Sequence, residues 1–194
     1  VGLAAGMNPV DVSKAIMKGF GGTAERIGIV IIAGTIIGVF LEKTGAALTM
    51  AETVLKLVGP KRPAVAMSII GYITSIPLFC DSGFVILSAL NKSLSKKSGV
   101  SMAVMATALS TGLYATHTLV PPTPGPIAAA NNLHADLGTV IFVGLMVAIP
   151  VTIAGYLWAT KFASRYELLA ESAVSYEELL EKFKNLPSAT AAFT

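Results

Sequence analysis

Charged residues are scarce in this chain, and cysteine is almost absent. Asp, Glu, Lys and Arg make up 13% of the 194 residues and hydrophobic residues 54%, whereas soluble domains average about 25% charged residues. The single cysteine, Cys80, excludes an internal disulfide and a cysteine-built zinc site. The net charge of +3 comes from short basic clusters beside apolar runs, a pattern that does not indicate nucleic-acid binding. We therefore predict a membrane protein that needs no metal and no cofactor.

Two segments are apolar enough to be transmembrane helices. Residues 138–161 are uncharged up to the final lysine and would form roughly 34 Å of helix, enough to cross a bilayer. Residues 27–42 form a shorter candidate span. Gly34 and Gly38 lie in it at the GxxxG spacing, which lets a neighbouring helix approach closely.

Residues 63–97 do not fit a single span. Their apolar part would measure roughly 42 Å as one helix, and Pro77 and Gly83 interrupt it. Basic residues flank the apolar part on both sides: Lys61, Arg62, Lys92, Lys96 and Lys97. Because basic residues favour the cytoplasmic side, we predict a re-entrant hairpin that enters and leaves there, with its tip near residues 79–83.

Residues 100–135 are also too long for one span, and prolines interrupt them. Four prolines occur in six positions, together with one glycine: Pro121, Pro122, Pro124, Gly125 and Pro126. Proline has no backbone N–H and breaks a helix, and unwound backbone at membrane depth is tolerated only where it is buried in protein or lines a polar cavity. We predict a discontinuous transmembrane helix, with half-helices near 100–118 and 126–135.

The other segments are more polar. Residues 1–26 are predicted to be an extramembrane or interfacial segment, with a helix that starts at Asn8 and stops at the glycines of 19–22. Residues 45–60 suit an amphipathic helix at the membrane surface. Residues 164–194 are predicted to form a cytoplasmic helix followed by a linker. The chain begins without Met or a signal pattern, which predicts a segment of a longer protein.

This threading gives an orientation. Nine basic residues fall on the predicted cytoplasmic side: Lys43, Lys56, Lys61, Arg62, Lys92, Lys96, Lys97, Lys161 and Arg165. Lys14, Lys18 and Arg26 fall on the other side. The excess agrees with the positive-inside rule, so we predict a multi-pass protein of a bacterial inner membrane. Its fold class is an all-α membrane protein with a re-entrant hairpin and a proline-broken helix, forming one half of an inverted-repeat transporter.

Asp81 and His117 are the ionisable residues in these segments that could carry chemistry. An acid there is costly and is functional by default; low dielectric favours its protonated form, which makes Asp81 a candidate proton carrier. The alternatives are an interfacial acid or a cap of the outgoing helix. His117 precedes the proline loop and could titrate or donate to a carboxylate, or could instead be a neutral histidine bonded to loop carbonyls.

Several hydroxyl side chains could bind the hydroxyls of a substrate, with Thr123 the best placed. They are Ser110, Thr111, Thr116, Thr118 and Thr123. The alternative for each is a hydrogen bond to the backbone of its own helix, which is common in membrane helices.

Two motifs resemble the gluconate permease family of gluconate:proton symporters. They are GYITSIPLFCDSGFVILS at residues 71–88 and ATHTLVPPTPGPIAAA at residues 115–130, and the similarity extends over most of 10–162. The resemblance implies a proton symporter of the ion-transporter type, with two inverted halves and a substrate site between hairpins and broken helices.

The resemblance also assigns residues. The hairpin tip matches at Asp81, Ser82 and Gly83, and the discontinuous helix matches at His117 and the proline loop. Together with the hydroxyl side chains above, these matches predict substrate contacts from Ser82, Gly83, His117, Thr118, Thr123 and Gly125 and proton coupling by Asp81 and His117. Relatives often have a second histidine where this chain has Thr123.

We therefore expect a secondary transporter that imports gluconate or a related sugar-acid anion with a proton. Sodium coupling, a D-serine or glycerate-type substrate, and a non-transporting membrane scaffold are the alternatives. An enzyme is not expected, because a hydrolase would need a nucleophile motif that is missing. The expected partners are the small organic anion, the proton, the lipid bilayer, a second half of the same transporter and a second copy in a homodimer, and no nucleic acid.

Overall fold

A computed structural model describes residues 1–59, 61–169, 178, 181 and 186–193. These residues form helices and their connections, with no β-strand among them, so the all-α class is confirmed. The helices are α1 (Pro9–Lys43), α2 (Ala46–Val58), α3 (Pro63–Thr74), α4 (Cys80–Ser98), α5 (Met102–Leu119), α6 (Pro124–Asn132), α7 (Leu137–Lys161) and α8 (Ala189–Phe193), with a 3₁₀ turn at Ala163–Arg165.

Two of the described segments are long and apolar enough to cross a bilayer. They are Ile27–Thr44 in α1 and Leu137–Arg165 at α7, and only 11% of each apolar window is buried within the chain. Their apolar side chains therefore cover the outside of the molecule, as expected for helices that face lipid rather than a protein core.

The core forms where α3 packs against α5. Gly112 of α5 lies so close to α3 that a β-carbon would stand 3.1 Å from the backbone nitrogen of Tyr72. The Thr116 hydroxyl donates a hydrogen bond of 2.9 Å to the Tyr72 carbonyl. Because Ser68 faces Gly112 and Tyr72 faces Thr116, the two helices run in the same direction.

Helix α7 packs along α5 in the opposite direction. Gly155 approaches the side chain of Thr111, whereas Gly144, earlier in α7, approaches the carbonyl of Leu119 at the end of α5. After α7 the chain returns to the start of α5, where the Ser101 hydroxyl donates to the Tyr166 carbonyl at 2.5 Å. The start of α5 and the end of α7 thus share one end of the molecule.

Helices α3 and α4 reverse the chain direction. Gly83, near the start of α4, lies against Leu113 near the end of α5, with 2.9 Å between its ideal β-carbon and the leucine side chain. The other end of α4 leads through Gly99, at φ +71°, into the start of α5. Therefore α4 runs antiparallel to α5 while α3 runs parallel to it. Whether this reversal enters and leaves a membrane on one face remains a prediction.

The N-terminal helix differs from the sequence expectation. It starts at Pro9 as predicted, with the Asn8 side chain accepting a hydrogen bond of 3.0 Å from the Val10 amide. The predicted stop at Gly19–Gly22 is wrong, because α1 continues without interruption to Lys43. Each glycine lowers helix stability by up to about 1 kcal/mol relative to alanine. The helical residues on both sides nevertheless keep the backbone hydrogen bonds of α1 continuous.

The C-terminal part also differs from its prediction. Residues 166–169 are not helical, and most of the predicted acidic helix lies outside the described residues. The predicted linker is wrong for Ala189–Phe193, which forms α8. Ala192 packs with Ala46 and Met50 of α2, and the Thr49 hydroxyl donates to the Pro187 carbonyl at 3.2 Å, so these contacts hold the segment on α2.

Candidate functional site

Two of the breaks between helices fall in the segments where the sequence predicted an interruption. The first break, residues 75–79, lies between α3 and α4, and the second break, residues 120–123, lies between α5 and α6. Pro77 lies in the first break, and Pro121 and Pro122 lie in the second, where their missing N–H groups prevent a continuous helical ladder. The two predicted interruptions are therefore present, and each creates free helix ends. The predicted position of the first, near residues 79–83 with Gly83 as a breaker, is wrong, because α4 starts at Cys80 and continues through Gly83.

The first break lies beside the last turn of α5. The Phe79 ring meets the His117 ring edge-on, with 5.9 Å between the centroids and 73° between the planes. His117 is three residues before the second break. The structure thus brings the end of the first break to the start of the second.

Helix α1 supports the first break from the other side. The ideal β-carbon positions of Gly34 and Gly38 lie 3.9 Å from the side chains of Phe79 and Leu78, respectively. The GxxxG spacing therefore accommodates a loop in this chain, where the sequence suggested a neighbouring helix.

Asp81 lies in the first turn of α4 and is exposed. The N-cap residue of this helix is Phe79, and no side chain forms a capping hydrogen bond there, so Asp81 does not serve as the cap. Its Oδ1 atom is 3.7 Å from the Cys80 thiol, and it forms no ion pair with any described residue. The N–H groups of a first helical turn stabilise a nearby carboxylate such as that of Asp81. Since this carboxylate has no ion-pair partner among the described residues, it remains open to a ligand or to another part of the protein.

His117 is half-buried between aromatic rings. Phe79 lies on one side, and Tyr114, one turn earlier on α5, meets the imidazole at 6.3 Å and 75°. The Nδ1 atom is buried and has no hydrogen-bond partner in the described chain. The alternative of a histidine bonded to loop carbonyls is therefore not seen at Nδ1. An unpartnered buried polar atom is costly, and the described residues supply no partner for this nitrogen.

The predicted hydroxyl groups are partly engaged. The Thr123 hydroxyl is 4% exposed and donates to the Val120 carbonyl at 2.8 Å, and the Thr118 hydroxyl donates to the Tyr114 carbonyl at 2.7 Å. Each oxygen keeps a lone pair but has used its proton, so each can accept from a substrate hydroxyl more readily than donate. Ser82 is half-buried beside Asp81.

The start of α6 offers a single free backbone donor in its first three positions. Pro124 and Pro126 have no N–H, and the Ile127 amide already donates to the Thr123 carbonyl at 3.4 Å. Gly125 lies between the prolines, is exposed, and has no atom within 4 Å of its ideal β-carbon. A helix N-terminus with accessible amide groups favours anions.

Tyr114 lies beside His117 and Asp81, and it was not identified from the sequence as a site residue. Its side chain is 53% exposed, contacts the His117 ring and interacts with the side chains of Cys80 and Asp81. The available signal was its spacing, since Tyr114 is three residues before His117 and must share a helical face with it.

Outside the apolar segments, Asp136 is the N-cap residue of α7. Its Oδ1 accepts hydrogen bonds of 2.8 Å from both the amide and the hydroxyl of Thr139. These hydrogen bonds hold the pKa of the Asp136 carboxyl below its usual value, and the bond from the Thr139 amide contributes more than the bond from its hydroxyl.

The described residues form helices and their connections, with apolar outer helices and two proline-containing breaks that adjoin, and these are features of a membrane permease. The chain belongs to the GntP permease family: the profile described as "GntP family permease" matches residues 1–194. This is a family of permeases, not of enzymes, and it places the chain in a membrane.

Individual relatives agree with this assignment. An uncharacterized permease of Haemophilus influenzae is 39% identical over 94% of this chain and 37% of its own length. A gluconate permease of Pseudomonas aeruginosa is 35% identical over 97% of this chain and 42% of its own length. A D-serine transporter of Escherichia coli K12 is 39% identical over 80% of this chain and 35% of its own length.

The chain spans about two fifths of the length of the curated relatives it matches. No solved structure matches it.

Proposed function

We propose that the whole protein imports gluconate or a related small hydroxy-acid anion together with a proton, at a site where the two breaks adjoin. The observation that most supports this site is the contact between Phe79 and His117. It sets the start of α4, with Asp81, beside the last turn before the second break. Relatives named as gluconate permeases and as a high-affinity gluconate transporter support the substrate class.

The substrate carboxylate meets no fixed cation in the predicted membrane interior, because these segments lack Lys and Arg. It is instead held by partial charges and hydrogen bonds. The Gly125 amide at the start of α6 and the first turn of α4 at Ser82 attract the carboxylate. The Gly83 amide offers no free donor, because it already donates to the Phe79 carbonyl at 2.9 Å. His117, Thr118 and Thr123 contact the substrate hydroxyls. Such a site binds weakly and reversibly, as a carrier requires.

Asp81 links binding to the proton. A substrate anion and an ionised Asp81 repel each other, and the repulsion grows when a closing site excludes water. Protonation of Asp81 removes this repulsion, so the proton binds first and the substrate carboxylate binds second. The loaded site then opens to the other side of the membrane. His117 is the alternative proton carrier, since its Nδ1 has no partner.

The proposed architecture follows from the chain reversal between α3 and α4. We infer a re-entrant hairpin whose two ends lie on the cytoplasmic side of a bacterial inner membrane. A second half of the same transporter, in inverted orientation, supplies a matching hairpin and broken helix, since carriers of this kind form their site between two repeats. The length of the relatives leaves room for such a half.

D-serine is a second candidate substrate, because a D-serine transporter is among the relatives. It shares a carboxylate and a hydroxyl with the hydroxy acids but adds an ammonium group. Asp81 and the lone pairs of Thr123 would contact that group, so the same site fits both classes. Sodium is the alternative coupling ion, bound by carbonyls of the second break.

Counterflow in proteoliposomes containing the whole protein tests the proposal. Vesicles are loaded with one unlabelled compound, and entry of the labelled compound is followed for gluconate, L-idonate, glycerate and D-serine, with and without sodium. We expect sodium-independent counterflow of gluconate or another hydroxy acid, and none in protein-free vesicles. Counterflow of D-serine alone would shift the proposal to the second candidate. No counterflow of any compound, or strict dependence on sodium, would overturn the proposed function.

A further inference from the structure

Helix α5 has one apolar face and one polar face. The apolar face is buried against α3, α4 and α7, with Met105, Leu109 and Leu113 in the core. None of the residues on the opposite face is buried, and all are polar: Thr107, Ser110, Thr111, Tyr114, His117 and Thr118. Their spacings of three and four residues align them along roughly 16 Å of one helix face.

This polar face lies between two walls. On one side Gly155 of α7 approaches Thr111, and a groove of about 360 Å³ between α5 and α7 is lined by Thr111, Tyr114 and Trp158, among others. On the other side Phe79 lies against His117 at 5.9 Å. Tyr114 lies between the walls and contacts His117. The polar face thus lines this groove from Thr118 to Thr111, and its remaining residues, Ser110 and Thr107, continue along the same helix face toward the start of α5.

The energetics argue against lipid as the occupant of this groove. Thr111 and Thr118 satisfy their protons by donating to carbonyls of their own helix, at 2.9 and 2.7 Å. Tyr114, however, is 53% exposed, although its hydroxyl group interacts with the Cys80 side chain, and the hydroxyl residues Thr107 and Ser110 on the same face are not buried either. Polar side chains that are not buried in protein are costly to place in hydrocarbon. The face therefore suits water or a hydroxylated ligand.

We propose that the polar face of α5 is a hydrated groove that carries the small hydroxylated anion between the second break and the end of the molecule where α5 begins. This inference rests on the proposed function. The occupant follows from the chemistry of the polar face, which offers hydroxyl groups at successive helical turns, about 5 Å apart, and no Lys or Arg. Such a surface exchanges hydrogen bonds with the hydroxyls of a sugar acid and leaves its carboxylate hydrated.

The end that this groove reaches is basic. Arg62 lies with Val100 and Val104 around one small cavity there, and Lys97 and Lys161 end α4 and α7 near it. Cations at the mouth of a groove raise the local concentration of anions. The groove thus joins the proposed binding site to an end that attracts the released substrate.

Cysteine accessibility tests the groove in the whole protein. Single cysteines at Ser110 and Thr107 are introduced into a Cys80→Ala background, together with Ile153→Cys as a control on the apolar outer face of α7, where the native side chain is 53% exposed. All are treated with a charged, membrane-impermeant thiol reagent in proteoliposomes. We expect at least tenfold faster labelling at Ser110 and Thr107 than at Ile153, and slower labelling at Ser110 when gluconate is present.

The outcomes separate this inference from the proposed function. Labelling at Ser110 and Thr107 as slow as at Ile153, in variants that still perform counterflow, would mean that lipid or another helix covers the face and would overturn the groove. Fast labelling without protection by any transported compound would also overturn it, because the groove would then hold water but not substrate. Loss of counterflow in the unmodified protein would overturn the proposed function first.

Discussion

The closest helix contact in the core gives a sharp stability prediction. An ideal β-carbon on Gly112 would lie 3.1 Å from the carbonyl carbon of Ser68 and from the nitrogen of Tyr72, and closer still to the Ser68 carbonyl oxygen. These are backbone atoms of α3 and cannot rotate away. Gly112→Ala must therefore push α3 and α5 apart.

The magnitude follows from three terms. Forcing an extra carbon into a packed core costs about 1–3 kcal/mol. Separating the helices also weakens the Thr116 to Tyr72 hydrogen bond, now 2.9 Å long, which contributes about 0.5–1.5 kcal/mol. Alanine recovers about 1 kcal/mol through its better helix propensity. We expect a net destabilisation of roughly 1–3 kcal/mol.

Gly19→Ala is the matched control. Gly19 is also helical, but no atom lies within 4 Å of its ideal β-carbon, so this change should be neutral or stabilising by up to about 1 kcal/mol. The assay is thermal unfolding of the whole protein in detergent, followed by loss of the monodisperse species. Equal melting temperatures for Gly112→Ala and Gly19→Ala would refute the packing of α3 on α5.

Three further predictions follow from the topology, the site and the start of α7. Cysteines at positions 62 and 96 should both react from the cytoplasmic side; labelling from opposite faces would make the segment an ordinary span. His117→Ala should weaken substrate affinity about 5- to 10-fold, as for one lost hydrogen bond, and an unchanged KM would argue against substrate contact. Asp136→Ala should speed hydrogen exchange at the Thr139 amide. Because the folded pKa of Asp136 is lowered, its capping contribution is present at neutral pH and lost as pH falls through that lowered pKa; exchange at Thr139 that is equally fast in both proteins at pH 7 would contradict it.

The prolines made the second break predictable from the sequence, but the break ends two residues earlier than predicted. The second half-helix was expected from residue 126, and α6 begins at Pro124. Both Pro124 and Pro126 fit in the first turn of this helix, where an N–H group has no acceptor within the helix. A cluster of prolines therefore marked the break and also started the next helix.

Tertiary contacts could not be predicted from the sequence. Nothing local to Phe79 indicates that its ring meets His117, which is 38 positions later, because that contact depends on how α4 packs against α5. Likewise, the glycines of α1 are a local stop signal that the adjoining helix overrides. Tyr114 was missed because a tyrosine in an apolar segment is more often an interfacial anchor than a site residue.

The most direct test of the central claim is accumulation driven by a pH gradient alone in Asp81→Asn. Asp11→Asn is a matched control, since Asp11 is also an exposed acid in the first turn of a helix, outside the site. In proteoliposomes containing the whole protein, Asp81→Asn should still exchange internal for external gluconate but should no longer concentrate it. Asp11→Asn should do both. Accumulation by Asp81→Asn equal to that of the unmodified protein would show that Asp81 does not couple the proton.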